Sequence, residues 1–281
     1  MGELTPEQIA RLREQNLGPQ QFAIVVVFTL LALITVCLRV YTRMRLVHLV
    51  GLEDYFIVLS MCLSLCTGIF QCLQVKWGRG THTMFLKKEQ IGGMLKYIYL
   101  GIVTYNLGLA FTRISILLSY RRIFTSDCMR ISVKIALSIC TVWGFAAVVI
   151  RLFSCIPINA LWDISKKPIA KCFDEKAFFI LNAGINIATN LTVAILPIKA
   201  IWNLRIPRGQ RTVLVANLSI GWFICIVSGI RLQAFLQAFK HPLDRTFYDS
   251  ITICWTAIEL NLAIACACIP SLKALLKKIL S

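Results

Sequence analysis

Acids and histidines are what this chain has least of. Only 13 Asp and Glu stand against 30 Lys and Arg, which leaves a net charge of +17. The three histidines, His48, His82 and His241, lie far apart, and no cysteine pair shows the spacing of zinc ligands, so no metal site is expected. Glycine-rich phosphate loops, a nucleophile elbow and a paired-histidine helix are missing. No catalytic residue and no cofactor is therefore assigned. The chain also lacks linkers, low-complexity tracts and any sign of a second soluble domain. Residues 1–21 have neither the basic start nor the apolar middle of a signal peptide, so the first apolar run reads as an uncleaved anchor.

The positive excess suggests nucleic acid, but the basic residues sit singly at the ends of apolar runs and form no solvated basic face. Lipid head groups are the expected counter-ions, and nucleic acid is not an expected partner.

Apolar sequence is what the chain has in abundance. Hydrophobic residues make up 58% of it, and the mean hydropathy is +0.74. A hydrocarbon core of about 30 Å takes roughly 20 helical residues to cross. Seven runs reach that length, at about 22–41, 53–75, 95–119, 131–153, 177–202, 212–238 and 247–270. The expected fold is all-α: a polytopic, multi-pass seven-transmembrane-helix bundle over 22–278, preceded by a surface arm over 1–21. Within the arm, Thr5, Pro6 and Gln8 read as N-cap, first turn and capping-box partner of a short helix ending near Gly18-Pro19.

Seven crossings place the termini on opposite sides. Thirteen Lys and Arg fall on each side, so the positive-inside rule returns a tie. Most acids lie on the N-terminal side, where Cys155 and Cys172 also flank the longest connection and could pair in an oxidising compartment. Both features favour an extracellular or lumenal N-terminus and a cytoplasmic C-terminus. Most of the other cysteines lie within spans, as small apolar fillers.

Ionisable side chains inside a span need a partner, an escape or a function. Arg113, Arg151, Lys199, Arg231 and Glu259 qualify. Arg151 and Lys199 lie close enough to an interface to snorkel. Glu259 sits mid-span, with Arg231 or Arg113 as its expected partner. Two readings of it stand: an ion pair that locks helices together, or a carboxylate that contacts a ligand or carries a proton. Asn182, Asn186 and Asn190, spaced by four, form one inward stripe. Helix-to-helix hydrogen bonds and the lining of a polar cavity both account for it. Trp255 lies one turn before Glu259 on the same face. A retinal protein needs a lysine in its seventh helix, and the run 247–270 contains none.

Several short pieces, in order, carry a resemblance: Arg39-Val-Tyr-Thr-Arg43 with Glu53-Asp54-Tyr55, Gly78-Arg-Gly80-Thr-His82, and Arg113 to Tyr120. They continue through Phe153-Ser-Cys155-Ile-Pro157, Asn186 to Asn190, Gly229-Ile-Arg231, Trp255 to Glu259 and Cys268-Ile-Pro270. By these the chain resembles the fungal rhodopsin-like domain family, which includes Pth11-like receptors and the SAT4 family of integral membrane proteins. The family pattern usually has Lys at the position of Arg113 and Asp at that of Asn190. A charge-linked pair in relatives would be altered here.

The resemblance implies a receptor-like topology, and two functions remain open. One is a receptor of the G-protein-coupled kind, without retinal, for a small-molecule ligand held by Asn186, Asn190, Trp255 and Glu259. Its basic loops (Arg121, Arg122, Arg205, Arg208) would meet an intracellular signalling partner. The other is an intramembrane enzyme or accessory protein of a secondary-metabolite (mycotoxin) pathway with Glu259 as acid or base, a role that pairing with Arg231 would oppose. A transporter ranks third, because no inverted repeat is visible.

Overall fold

The computed structural model describes residues 6–123, 126–163, 166, 170–203 and 208–279. Thr5 and Arg205, and the side chains of Lys199 and Arg208, lie outside the described residues. A short helix α1 (Pro6–Glu14) precedes seven helices long and apolar enough to cross a membrane. These are α2 (Gly18–Tyr41), α3 (Leu52–Lys76), α4 (Lys88–Ile123), α5 (Asp127–Leu152), α6 (Glu175–Asn203), α7 (Arg208–Lys240) and α8 (Arg245–Ile279). In hydrocarbon a helix satisfies every backbone donor and acceptor within its own segment, so each apolar run takes this form.

The helices overrun the apolar runs that announce them. At 36 residues, α4 is about 54 Å long. It therefore protrudes from the hydrocarbon. A π-helical turn, Thr42–Val47, prolongs α2 and ends at His48 in the left-handed region, φ 50°. The arm differs from expectation at its end: α1 stops at Glu14, and Gly18-Pro19 open α2 instead. Proline suits that first turn, where its missing N–H has no helical partner to lose.

Side chains sort inversely to a soluble protein. On α2 the buried positions Gln21, Val25, Thr29, Ala32, Val36 and Arg39 recur every three or four residues, so the inward stripe carries the polar groups. The outward stripe is Phe22, Val27, Leu30, Leu31 and Ile34. On α5, Val142 and Phe145 face outward likewise. Lipid accepts the apolar face, and the bundle interior supplies partners to the rest.

Packing follows chain order, with α2 closing the ring against α8 and with α4 central, touching α3, α5, α6 and α8. Gly144 lets α5 approach α4 closely: a Cβ there would stand 2.7 Å from the Cβ of Ala110. Two apolar clusters fill the interior. The larger joins α2, α3, α4, α7 and α8 around Ile57, Tyr105, Leu260 and Ile264, and the smaller joins α4, α5 and α6 around Leu117, Val133 and Val193.

The connections on the N-terminal side carry the irregular structure. Between α5 and α6, strands β1 (Cys155–Ile156) and β2 (Lys171–Cys172) pair antiparallel, and Cys155 and Cys172, opposite each other in register, form a disulfide. The arm is held against the α3–α4 connection, where Leu17 N–H donates to the Gly80 carbonyl at 3.1 Å. Gly80 has φ +95° and lies against Gly18, a site open only to a residue without a Cβ.

Candidate functional site

Glu259 is fully buried at mid-helix in α8. Tyr105 Oη donates to its Oε2 at 2.7 Å, Ser228 Oγ donates to its Oε1, and Arg231 Nε lies 3.1 Å from Oε2. Arg231 also donates to the Tyr105 hydroxyl. Its guanidinium lies 5.1 Å from the Tyr105 ring centre and 5.5 Å from that of Phe179, near enough for cation–π attraction. Of the two partners expected for Glu259, the ion pair is with Arg231.

Arg113 takes a different set of partners. Its Nη1 donates to Asn186 Oδ1 at 3.1 Å, and its Nε and Nη2 donate to Asn190 Oδ1 at 3.2 and 3.1 Å. Asn190 Nδ2 in turn reaches Ser228 Oγ at 3.3 Å. A continuous chain of polar contacts thus runs from Arg113 through the α6 amides and Ser228 to Glu259, Tyr105 and Arg231. It ties α4, α6, α7 and α8 together. The spacing of four brings all three asparagines onto the face toward α4: Asn186 and Asn190 meet Arg113, and Asn182 Nδ2 donates to Asn106 Oδ1 of α4 at 3.2 Å, one turn nearer the N-terminal side. Trp255 is half-buried and takes no part in the chain.

Tyr105 and Ser228 are the members that sequence reasoning missed. A tyrosine or serine in an apolar run is unremarkable until its neighbours across the bundle are known. The cluster holds two arginines and one carboxylate. Arg113 is met by amide oxygens where a carboxylate at position 190 would have balanced it. The void beside Arg113 and Asn190 measures about 40 Å³, room for a water or two but not for an organic ligand.

Toward the C-terminal side lies a second charged cluster. Arg39, counted from sequence among head-group-facing charges, is fully buried. Its Nε pairs with Asp54 Oδ1 at 2.9 Å, and its Nη1 donates to the Ala267 carbonyl in α8. Arg122 pairs with Glu53 at 2.8 Å, and Arg43 stands 3.8 Å from both Glu53 and Asp54. A span-end arginine can snorkel or turn inward, and Asp54 at the start of α3 decides the matter here. On the opposite side Arg79, also buried, pairs with Asp249. Each side loses one charge from the topology count, so the tie stands.

Room for a ligand exists on the N-terminal side. A cavity of about 690 Å³ lies between α4, the end of α5, the β1–β2 hairpin and the starts of α6 and α8. That volume is within the roughly 300–1,000 Å³ usual for small-molecule sites. Ile91, Met94, Leu95, Ile98, Ile150 and Phe178 give it apolar walls, and Arg79, Arg151, Glu175, Arg245 and Asp249 give it charge. Tyr99 on its wall packs against Trp162, ring centres 6.0 Å apart. Arg151, expected to snorkel, is 9% exposed and stays inside. Cys155 and Cys172 of the hairpin line the same cavity as Arg151.

Comparison with known proteins fits this architecture. The chain matches the fungal rhodopsin domain over residues 38–278. A polyenoic acids biosynthesis gene cluster protein, Ba17b, from Metarhizium anisopliae is 25% identical over 268 residues, covering 91% of this chain and 73% of the relative. The receptor GIN3 of Arthrobotrys oligospora is 23% identical, covering 89% of this chain and 60% of the receptor. A SAT4 family membrane protein of Emericella nidulans is 24% identical, covering 70% of this chain and 50% of the relative. This chain therefore spans from half to about three quarters of the length of these relatives. No solved structure matches it. Seven apolar helices, an interior lined by Arg113, the α6 amides, Arg231 and Glu259, and a family match over most of the sequence agree: the chain belongs to the fungal rhodopsin domain family.

Proposed function

We propose that this protein is a receptor-like membrane protein that holds a small ligand, without retinal, in the cavity on its N-terminal side and passes its occupancy to the C-terminal side. The observation that carries the reading is the sharing of helices. Tyr99 on the cavity wall and Tyr105 in the polar chain stand on α4, six residues or about 9 Å apart. Asp249 and Glu259 stand on α8 in the same relation, ten residues or about 15 Å apart. A ligand that shifts either helix works against a hydrogen-bonded network with few alternative arrangements, the kind of bistable element that converts small displacements into a switch. The family includes a protein named as a receptor. On this reading the N-terminus lies outside the cytoplasm, which the disulfide and the acids on its side support. The basic C-terminal-side loops then face an intracellular partner.

Hydrogen–deuterium exchange on the protein in nanodiscs tests this. A cavity ligand should slow exchange in residues 88–99 and 150–161 and also change it in residues 42–51 across the membrane. Protection confined to the cavity would reject the receptor reading.

A role as enzyme or accessory protein in secondary metabolism is the second reading, favoured by a relative's assignment to a polyenoic acids biosynthesis gene cluster. Against Glu259 as acid or base stands its closure among three partners, Tyr105, Ser228 and Arg231. Gene deletion with metabolite profiling separates the two: an accumulated intermediate supports the enzyme, and a changed transcriptional response supports the receptor.

A further inference from the structure

The charges lining the N-terminal-side cavity do not cancel. Arg79 is committed to Asp249, and Arg245 Nη2 lies 3.0 Å from Glu175 Oε2. Those two pairs use every acid on the cavity wall. Arg151 is left over. It is nine-tenths buried and lines the cavity. Its Nε meets no hydrogen-bond partner, and no carboxylate stands within ion-pair distance of its guanidinium among the described residues. Glu175 and Asp249 attract it only from beyond ion-pair distance, each already paired elsewhere, and protein interiors rarely keep a buried guanidinium so unless something else satisfies it.

Resting on the cavity reading above, we propose that the ligand is an amphipathic molecule with a single anionic head, a carboxylate above all, bound by the fork of Arg151, and with an apolar body against Ile91, Met94, Leu95, Ile98, Ile150 and Phe178. The fork geometry of guanidinium suits a planar carboxylate accepting two parallel hydrogen bonds. One net positive charge selects one negative charge. A dianion would leave a buried charge unmatched, a cation would meet Arg151 head on, and a neutral molecule would leave the guanidinium unsatisfied. The apolar walls take the rest of the molecule by the same transfer free energy that folds a core. The shared chemistry, an anionic head on an apolar body, belongs both to a free organic acid and to an anionic bilayer lipid.

Radiolabelled dodecanoate, its methyl ester and dodecylamine, each titrated onto the full chain in phosphatidylcholine nanodiscs, test the assignment. Dodecanoate should bind saturably, with ester and amine weaker by about tenfold or more, the loss of a charge-assisted bidentate contact. Arg151→Gln should lower acid affinity to that of the ester and leave ester affinity unchanged, and Arg151→Lys should fall between. Phosphatidylglycerol, a phosphodiester with a single negative charge, that displaces dodecanoate when present in the nanodisc assigns the head to a bilayer lipid, and no displacement assigns it to a free acid; both outcomes keep Arg151 as the anion site. Equal binding of acid and ester by the unaltered chain overturns the inference while leaving the cavity reading in place, and it needs no variant that must fold. Saturable binding of none of the three overturns the cavity reading, and the inference with it.

Discussion

Two buried arginines occupy opposite situations in one bundle. Arg113, on α4, is surrounded by amide oxygens of α6 that take its Nε and both terminal nitrogens. Arg151, at the end of α5, lies against a cavity of about 690 Å³ with its Nε unpartnered. Burial alone does not say what a charge in a membrane is for. The partners do. Where the protein supplies every acceptor, the charge belongs to the architecture; where it leaves the donors facing empty volume, the charge is available for recognition.

The largest effect should come from the architectural side. Glu259→Gln leaves Arg231 buried beside a neutral amide, and removing one partner of a buried pair costs about 3–5 kcal/mol. The folded yield and thermal midpoint in detergent should fall sharply. A variant as stable as the parent would mean that the polar chain is loosely held, and the contrast with the cavity would collapse. Arg113→Met comes next, because it strands the Asn186 and Asn190 oxygens at about 1–3 kcal/mol; thermal unfolding measures it directly. Last is Arg151→Met, which breaks no hydrogen bond within the protein and removes a buried charge that no carboxylate pairs, so the thermal midpoint should hold or rise. If Arg151→Met proved as destabilising as Arg113→Met, both arginines would be architectural.

Much of this arrangement is legible in the amino-acid sequence, for reasons particular to lipid. The bilayer forces each apolar run into a helix, so the seven spans follow from length and hydropathy alone. It also forces polar groups inward, which identifies Asn186, Asn190, Arg231 and Glu259 as interior before any contact is known. Tyr105 and Ser228 escape notice because their side chains are tolerated on either face of a helix, and only the approach of α7 and α8 to α4 gives them partners. Arg39 and Arg151 are misjudged for a related reason. Both lie near span ends, where reaching outward and turning inward look alike in sequence. Asp54 draws one in, and the other lines a cavity that only the packed helices and hairpin create. The cavity has no signature in sequence at all, since it is the space left between helices once they have packed. Trp255 shares a helix face with Glu259, yet helix phase alone did not bring it to the polar chain.

The disulfide between Cys155 and Cys172 has a consequence for how the protein is made. Charge at the helix ends is balanced between the two sides, so insertion lacks a strong electrostatic instruction. A chain threaded the wrong way would present both thiols to a reducing cytoplasm, where the bond does not persist. The cavity wall that the hairpin provides would then be missing its crosslink. With the N-terminal side outside the cytoplasm, as proposed, the crosslink in the cavity wall would form only in molecules inserted in that sense, and biogenesis would gain a chemical check on orientation.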